Sequence, residues 1–141
     1  MRFMIIVKAT KESESGAVPK TELLAEMGRF NEELVKAGVM LAGEGLHPSS
    51  KGARVKFLGD RRVVSNGPFT NASELVAGYW VWQTKSLDEA IAWVKRCPNP
   101  MPGHDAEIEI RQIFESEDFG DAMTPDLKAQ EDRIREELLR G

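Results

Sequence analysis

Two strand–helix–strand units within 141 residues predict an α+β fold built on one antiparallel sheet. Three observations carry this. Apolar residues alternate through the segments 2–9, 53–58, 75–84 and 106–114. Apolar residues recur at helical spacing through 19–37 and again from 86. The helical segments each fall between strands, with two extra strands inserted between the units.

The first strand is expected at residues 2–9. Phe3, Ile5 and Val7 take one face, and Met4 and Ile6 the other. Both faces are apolar, as expected of an interior strand. Residues 10–18 are polar and carry Ser and Gly, which predicts a loop. A helix is expected over about 19–37, with Pro19 in its first position and Leu23, Met27, Phe30 and Leu34 as the buried stripe. Gly38 ends it.

The next strand runs from Val39 to about Leu46 and carries the alternating glycines of Gly43-Glu44-Gly45. Ala53–Leu58 and Arg61–Ser65 flank the turn pair Gly59-Asp60, which predicts a hairpin. Asn66-Gly67-Pro68-Phe69 is a turn by composition. Leu75–Thr84 is the next strand, with Tyr79 and Val81 on one face and Trp80 and Trp82 on the other. Ser86 and Glu89 form a capping-box pattern at the start of the second helix. Pro98, Pro100 and Pro102 end that helix, and Ala106–Phe114 is the last strand. Residues 115–126 are expected to be a linker, and 125–140 a C-terminal helix with Leu127, Ile134, Leu138 and Leu139 as its apolar stripe.

These elements define a ferredoxin-like antiparallel sheet with two helices on one face, a β-hairpin insertion and a C-terminal helix. Two helices cover one sheet face only. The other face keeps apolar and charged residues together, which predicts a second copy packed against it. Two such sheets face to face make a dimeric α/β barrel, so a homodimer is the expected assembly. Trp80 and Trp82 are expected in the barrel or the dimer interface.

Composition narrows the function classes. Hydrophobic residues are 41% and charged residues 30% of the chain, and the net charge is -4. Residues 115–141 hold nine acidic and four basic side chains, so the acidity belongs to this extension and residues 1–114 are nearly neutral. A nucleic-acid partner is not expected, because phosphate contacts need cations. No run of about 18 apolar residues exists, so no membrane span is expected. The single cysteine, Cys97, suits a cytoplasmic setting and is read as structural. No G-x-G-x-x-G, H-x-x-x-H or C-x-x-C occurs, so no cofactor and no metal are expected, although His47, His104 and Glu44 are the residues that would hold one.

Glu44, between glycines, and His104, beside Asp105, are the candidate catalytic residues for acid–base chemistry. A salt bridge from Glu44 to Arg54 or Arg96 is the structural alternative. Asn66, Gly67, Pro68, Phe69 and Arg96 are candidate substrate-binding residues, and a plain turn is the alternative for the first four.

Several segments in order carry a resemblance: Gly43-Glu44-Gly45-Leu46, Asn66-Gly67-Pro68-Phe69, Glu74 to Trp80, Ser86 to Ala90, Trp93 to Pro98 and Glu107 to Arg111. Over residues 1–114 the chain resembles the YCII-related family in its DGPF-domain branch. The resemblance implies a dimeric α/β barrel with a pocket between sheet and helix, but no particular reaction. The motif that names the branch begins with Asp, and Asn66 stands there in this chain. Asn cannot titrate in water, so acid–base chemistry does not carry over to that position. The expected function is binding or transformation of a small molecule. The alternative is a non-catalytic interaction or regulatory module linked to sigma-factor signalling.

Overall fold

A computed structural model describes residues 1–141. Four strands form one sheet: β1 (Arg2–Lys8), β2 (Met40–Gly45), β5 (Val76–Gln83) and β6 (Ile108–Gln112), in the order β2-β5-β1-β6. All neighbouring pairs are antiparallel. Helices α2 (Thr21–Lys36) and α3 (Leu87–Lys95) make the two crossovers. This is the ferredoxin-like βαββαβ arrangement that the element order predicts. The inserted strands β3 (Ala53–Leu58) and β4 (Arg61–Asn66) pair only with each other, as a separate two-stranded sheet. The chain closes with α4 (Pro125–Arg140).

The core lies between the sheet and the helices. Phe3, Ile5 and Val7 alternate inward along β1 and sit opposite Trp82, Trp80 and Gly78. Such cross-strand pairs are the unit that stabilises a sheet. From α2, Phe30 and Leu34 come down on this layer. Phe30 meets Trp80 and Trp82 edge to face, with ring centres 6.0 and 6.2 Å apart. Trp80 donates from Nε1 to Asn31 Oδ1 at 2.9 Å. The tryptophans are therefore core residues under the helices, not residues of a barrel interior or dimer interface. Alternation separates two faces of a strand but does not say which face the helices will cover.

The opposite face has no helix packed across it. Cross-strand registers place Met4, Ile6, Tyr79 and Val81 at its centre. Arg111, Glu109 and Glu44 lie around them. The four apolar residues are half-buried, and Arg111 and Glu44 are exposed.

Three local expectations change. Residues 10–18 hold a short helix, α1 (Lys11–Glu14), because Thr10 and Ser13 cap each other reciprocally. Helix α2 begins at Thr21, so Pro19 lies outside it and Lys20 caps it without a side-chain bond. The segment after β6 is not a plain linker. Ser116–Ala122 turns as a 3₁₀ segment broken at Gly120, whose φ is 60°, and Phe119 stacks on Phe114 at 4.9 Å. No helix is long and apolar enough to cross a membrane.

The start of this last segment is clamped to β1. Arg2 donates to Glu115 through Nε at 2.9 Å and Nη2 at 3.2 Å. That hydrogen bonding holds the Glu115 carboxyl below the usual carboxylate range. Glu109 is lowered likewise by hydrogen bonds from Arg111 and then Lys8. A carboxyl lowered in the folded state stabilises the fold above its unfolded value of 4.5, and this contribution is lost as pH falls through the folded value. Urea unfolding at a series of pH values below 4.5 is therefore expected to show falling stability. The Glu115→Gln variant is expected to show a shallower fall; an identical slope would contradict this role.

Candidate functional site

Four connections meet at one end of the sheet, where β1 and β2 finish and β5 and β6 begin. They are residues 9–20, 46–52, 67–75 and 96–107. Helix α1 stands among them and touches two of the others. Thr10 Oγ1 donates to Met101 Sδ at 3.6 Å. On the other side, the Glu14 carboxylate accepts from Ser49 N at 3.0 Å and from Ser49 Oγ.

The segment Asn66–Phe69 is fastened to the 49–52 turn. Asn66 is the last residue of β4, opposite Ala53. Gly67 N donates to Gly52 O at 3.0 Å, and the Gly67–Pro68 peptide is cis. Phe69 N donates to Ser49 Oγ at 2.9 Å. The Arg54 guanidinium lies 3.8 Å from the centre of the Phe69 ring. Ser49 thus joins α1 to the loop after β4. An open cleft of about 350 Å³ lies beside this junction, lined by Glu14, Leu46, His47, Ser49, Lys51 and Leu75 among others. None of Asn66, Gly67, Pro68 and Phe69 lines it. Gly67 and Phe69 instead hydrogen-bond to Gly52 and Ser49, which do line it.

The second feature is a cleft of about 490 Å³ between the end of α3 and the start of β6. Val94, Cys97 and Ile108 form an apolar wall, and Asn99, His104 and Asp105 bring polar groups to it. The loop that carries His104 is held by Asn99. Its Oδ1 accepts from Met101 N at 2.9 Å, and its Nδ2 donates to His104 O at 3.0 Å. Gly103 has a φ of 84°, a left-handed value that favours glycine, and lets the chain turn just before His104. Burial pushes the Cys97 thiol up to about 11, so the sulfur stays protonated at neutral pH. It donates to Pro98 O at 3.2 Å. This suits a wall residue and not a nucleophile.

Glu12 of α1 is an acidic neighbour of His104 that sequence reading missed. Its carboxyl is held below the usual range chiefly by a hydrogen bond from its own backbone amide, with His104 adding a Coulombic contribution. Glu12 and His104 lie 92 positions apart, so no local spacing could reveal the pair.

Two other candidates lie outside both clefts. Glu44 sits in β2 opposite Tyr79 on the open sheet face, exposed and without an ion pair to Arg54 or Arg96. Glu44 is not buried within one chain. The room beside it serves another residue: a Cβ on Gly43 would come within 2.7 Å of Trp80 Cδ1. Arg96 pairs with Glu33 of α2 and lies over the Trp93 ring at 4.5 Å. It latches α3 to α2 on the outer surface. His47 and His104 line different clefts.

The βαββαβ sheet with its two crossover helices defines a ferredoxin-like α+β domain. The chain belongs to the YCII-related family, whose domain matches residues 1–115. It is similar to an uncharacterised protein of Rhizobium meliloti strain 1021, 25% identical over 105 residues that make 72% of this chain and 84% of the other. Among solved structures it is similar to 5-chloro-2-hydroxyhydroquinone dehydrochlorinase of Burkholderia phenoliruptrix in complex with 2,5-dihydroxybenzoquinone. There the identity is 18%, the TM-score 0.46, and the match covers 82% of this chain and 95% of that one.

Proposed function

We propose that this chain is a homodimeric member of the DGPF branch of its family and binds a small molecule in the His104 cleft. The composition of that cleft carries the reading. An apolar wall of Val94, Cys97 and Ile108 is faced by Asn99, His104 and Asp105, the mixture that small-molecule sites use to hold and orient a ligand. His104 brings the one imidazole to this cleft, so it is the group that would donate or accept a proton on the bound molecule. The ligand is expected to be partly apolar with a hydrogen-bonding substituent.

The dimer reading rests on the open sheet face. Met4, Ile6, Tyr79 and Val81 form a continuous apolar centre there, and a second copy related by a two-fold axis is the economical cover for such a face. A lone reduced cysteine fits a cytoplasmic setting. One observation favours the second reading, an interaction or regulatory module linked to sigma-factor signalling. Leu138 and Leu139 of α4 are 74% and 88% exposed, so this helix has apolar surface to offer a partner.

Thermal unfolding across a metabolite library separates the two. A ligand at about a hundred times its Kd stabilises a protein by about 2.7 kcal/mol, which is several degrees in Tm. Such a shift is expected for the wild type and is expected to vanish in His104→Ala. His104 is exposed, so that variant keeps its fold. No shift across the library, or an equal shift in the variant, would contradict ligand binding at this cleft.

A further inference from the structure

We infer that the basic β3–β4 hairpin of one copy is the dock for the acidic 115–141 segment of a second copy. This rests on the dimer reading above and adds the contact that would fix how the copies are oriented.

The hairpin is a surface without a cover. All twelve residues of β3 and β4 are exposed, and the two strands pair only with each other. An isolated two-stranded hairpin is marginal in water. Cross-strand pairing puts Val55 and Val64 on one face with Phe57, and all three are more than half exposed. The other face carries Arg54, Lys56 and Arg61 with Leu58 and Val63 among them. From Lys51 to Arg62 there are five cations and a single anion, Asp60. None of the five enters an ion pair within the chain.

The 115–141 segment has the complementary character. It carries nine acids against four bases. Three of the bases are already paired inside α4, as Lys128–Asp132, Arg135–Glu131 and Arg140–Glu136. Glu117, Asp121, Asp126 and Glu137 enter no ion pair. Asp126 and Glu137 fall on one side of the helix, eleven positions apart. Beside them run Leu127, Ile134 and Leu138, each about half exposed or more. The hairpin is basic and apolar, and the helix is acidic and apolar.

The two features sit at opposite ends of the sheet. The hairpin leaves where β2 ends and β5 begins, near the Gly45–Gly78 pair. The acidic segment leaves where β6 ends, held by the Arg2–Glu115 pair at the start of β1. Strand β5 has eight residues, so the ends lie about 25 Å apart. A two-fold axis running across the strands places the hairpin of each copy at the acidic end of the other. The same contact then forms twice, as an isologous dimer requires.

Charge reversal with rescue tests this on the full chain. Dimer dissociation constants would be measured by sedimentation equilibrium for the wild type and three variants. The first is Lys56→Glu with Arg61→Glu, the second Asp126→Lys with Glu137→Lys, and the third combines all four. All four side chains are exposed, and thermal unfolding checks that each variant stays folded. Each double reversal is expected to raise Kd by about tenfold or more at low salt, with the difference shrinking as salt screens it. The fourfold variant is expected to return to near the wild-type value. A dimeric wild type whose Kd ignores both reversals, or a fourfold variant that is not rescued, would overturn this docking and leave the dimer standing. A wild type that stays monomeric at all concentrations would overturn both.

Discussion

Trp82→Ala is expected to destabilise the fold by about 3–5 kcal/mol, the usual range for deleting a buried tryptophan. Trp82 is fully buried and is the largest side chain so placed. It lies opposite Phe3 across the sheet, against Phe30 of α2, and 5.6 Å from the ring of Trp80. Close packing on every side leaves neighbours little freedom to collapse into the space. A typical domain holds only about 5–15 kcal/mol in total, so this one change removes a large share. The indole Nε1 is buried and has no hydrogen-bond partner. Trp82→Phe removes that orphan donor while keeping a ring, so it is expected to cost much less. Urea unfolding followed by circular dichroism measures both. A cost below about 1 kcal/mol for the alanine variant would mean that the layer between α2 and the sheet is not the core.

Gly67→Ala is expected to release the Asn66–Phe69 segment from the 49–52 turn. A Cβ there would lie 1.8 Å from Ser49 O and 2.6 Å from Ser49 C. Both are backbone atoms, so no rotamer change relieves the clash. The segments must part, which loses the Gly67 N to Gly52 O bond and the Phe69 N to Ser49 Oγ bond. Overpacking of this kind costs about 1–3 kcal/mol. Faster hydrogen exchange is expected at the Gly67 and Phe69 amides before the β1 and β5 amides respond. Gly45→Ala is the control, because a Cβ there has no atom within 4 Å. Equal behaviour of the two variants would contradict the close approach.

Period-two alternation was sufficient to find the strands, and helical spacing was sufficient to find α2 and α3. Ser86 caps α3, with its Oγ accepting from Glu89 N at 3.1 Å, but the reciprocal half of the box does not form, because Glu89 Oε2 accepts from Lys85 N at 2.8 Å instead. What stayed illegible depends on contacts between distant residues. Ser49 joins Glu14 and Phe69 across 35 and 20 positions, and neither separation leaves a local signature. Glu44 lies between two glycines in the sequence, but the sequence does not show that Trp80 fills the space a Cβ on Gly43 would need. Arg96 is taken by Glu33, a partner 63 positions away. His104 can be singled out as a candidate because a lone histidine on a turn near a strand start is legible locally. Its acidic neighbour Glu12 could not be.

The proposed ligand site is the cleft lined by His104, Val94, Cys97 and Ile108. Soaking crystals of the full chain with a library of small polar–apolar fragments tests it most directly. The expected result is repeated occupancy of the space between Val94, Cys97 and Ile108, with a fragment polar atom hydrogen-bonded to the His104 ring. Fragments that gather elsewhere while this cleft stays empty would contradict it.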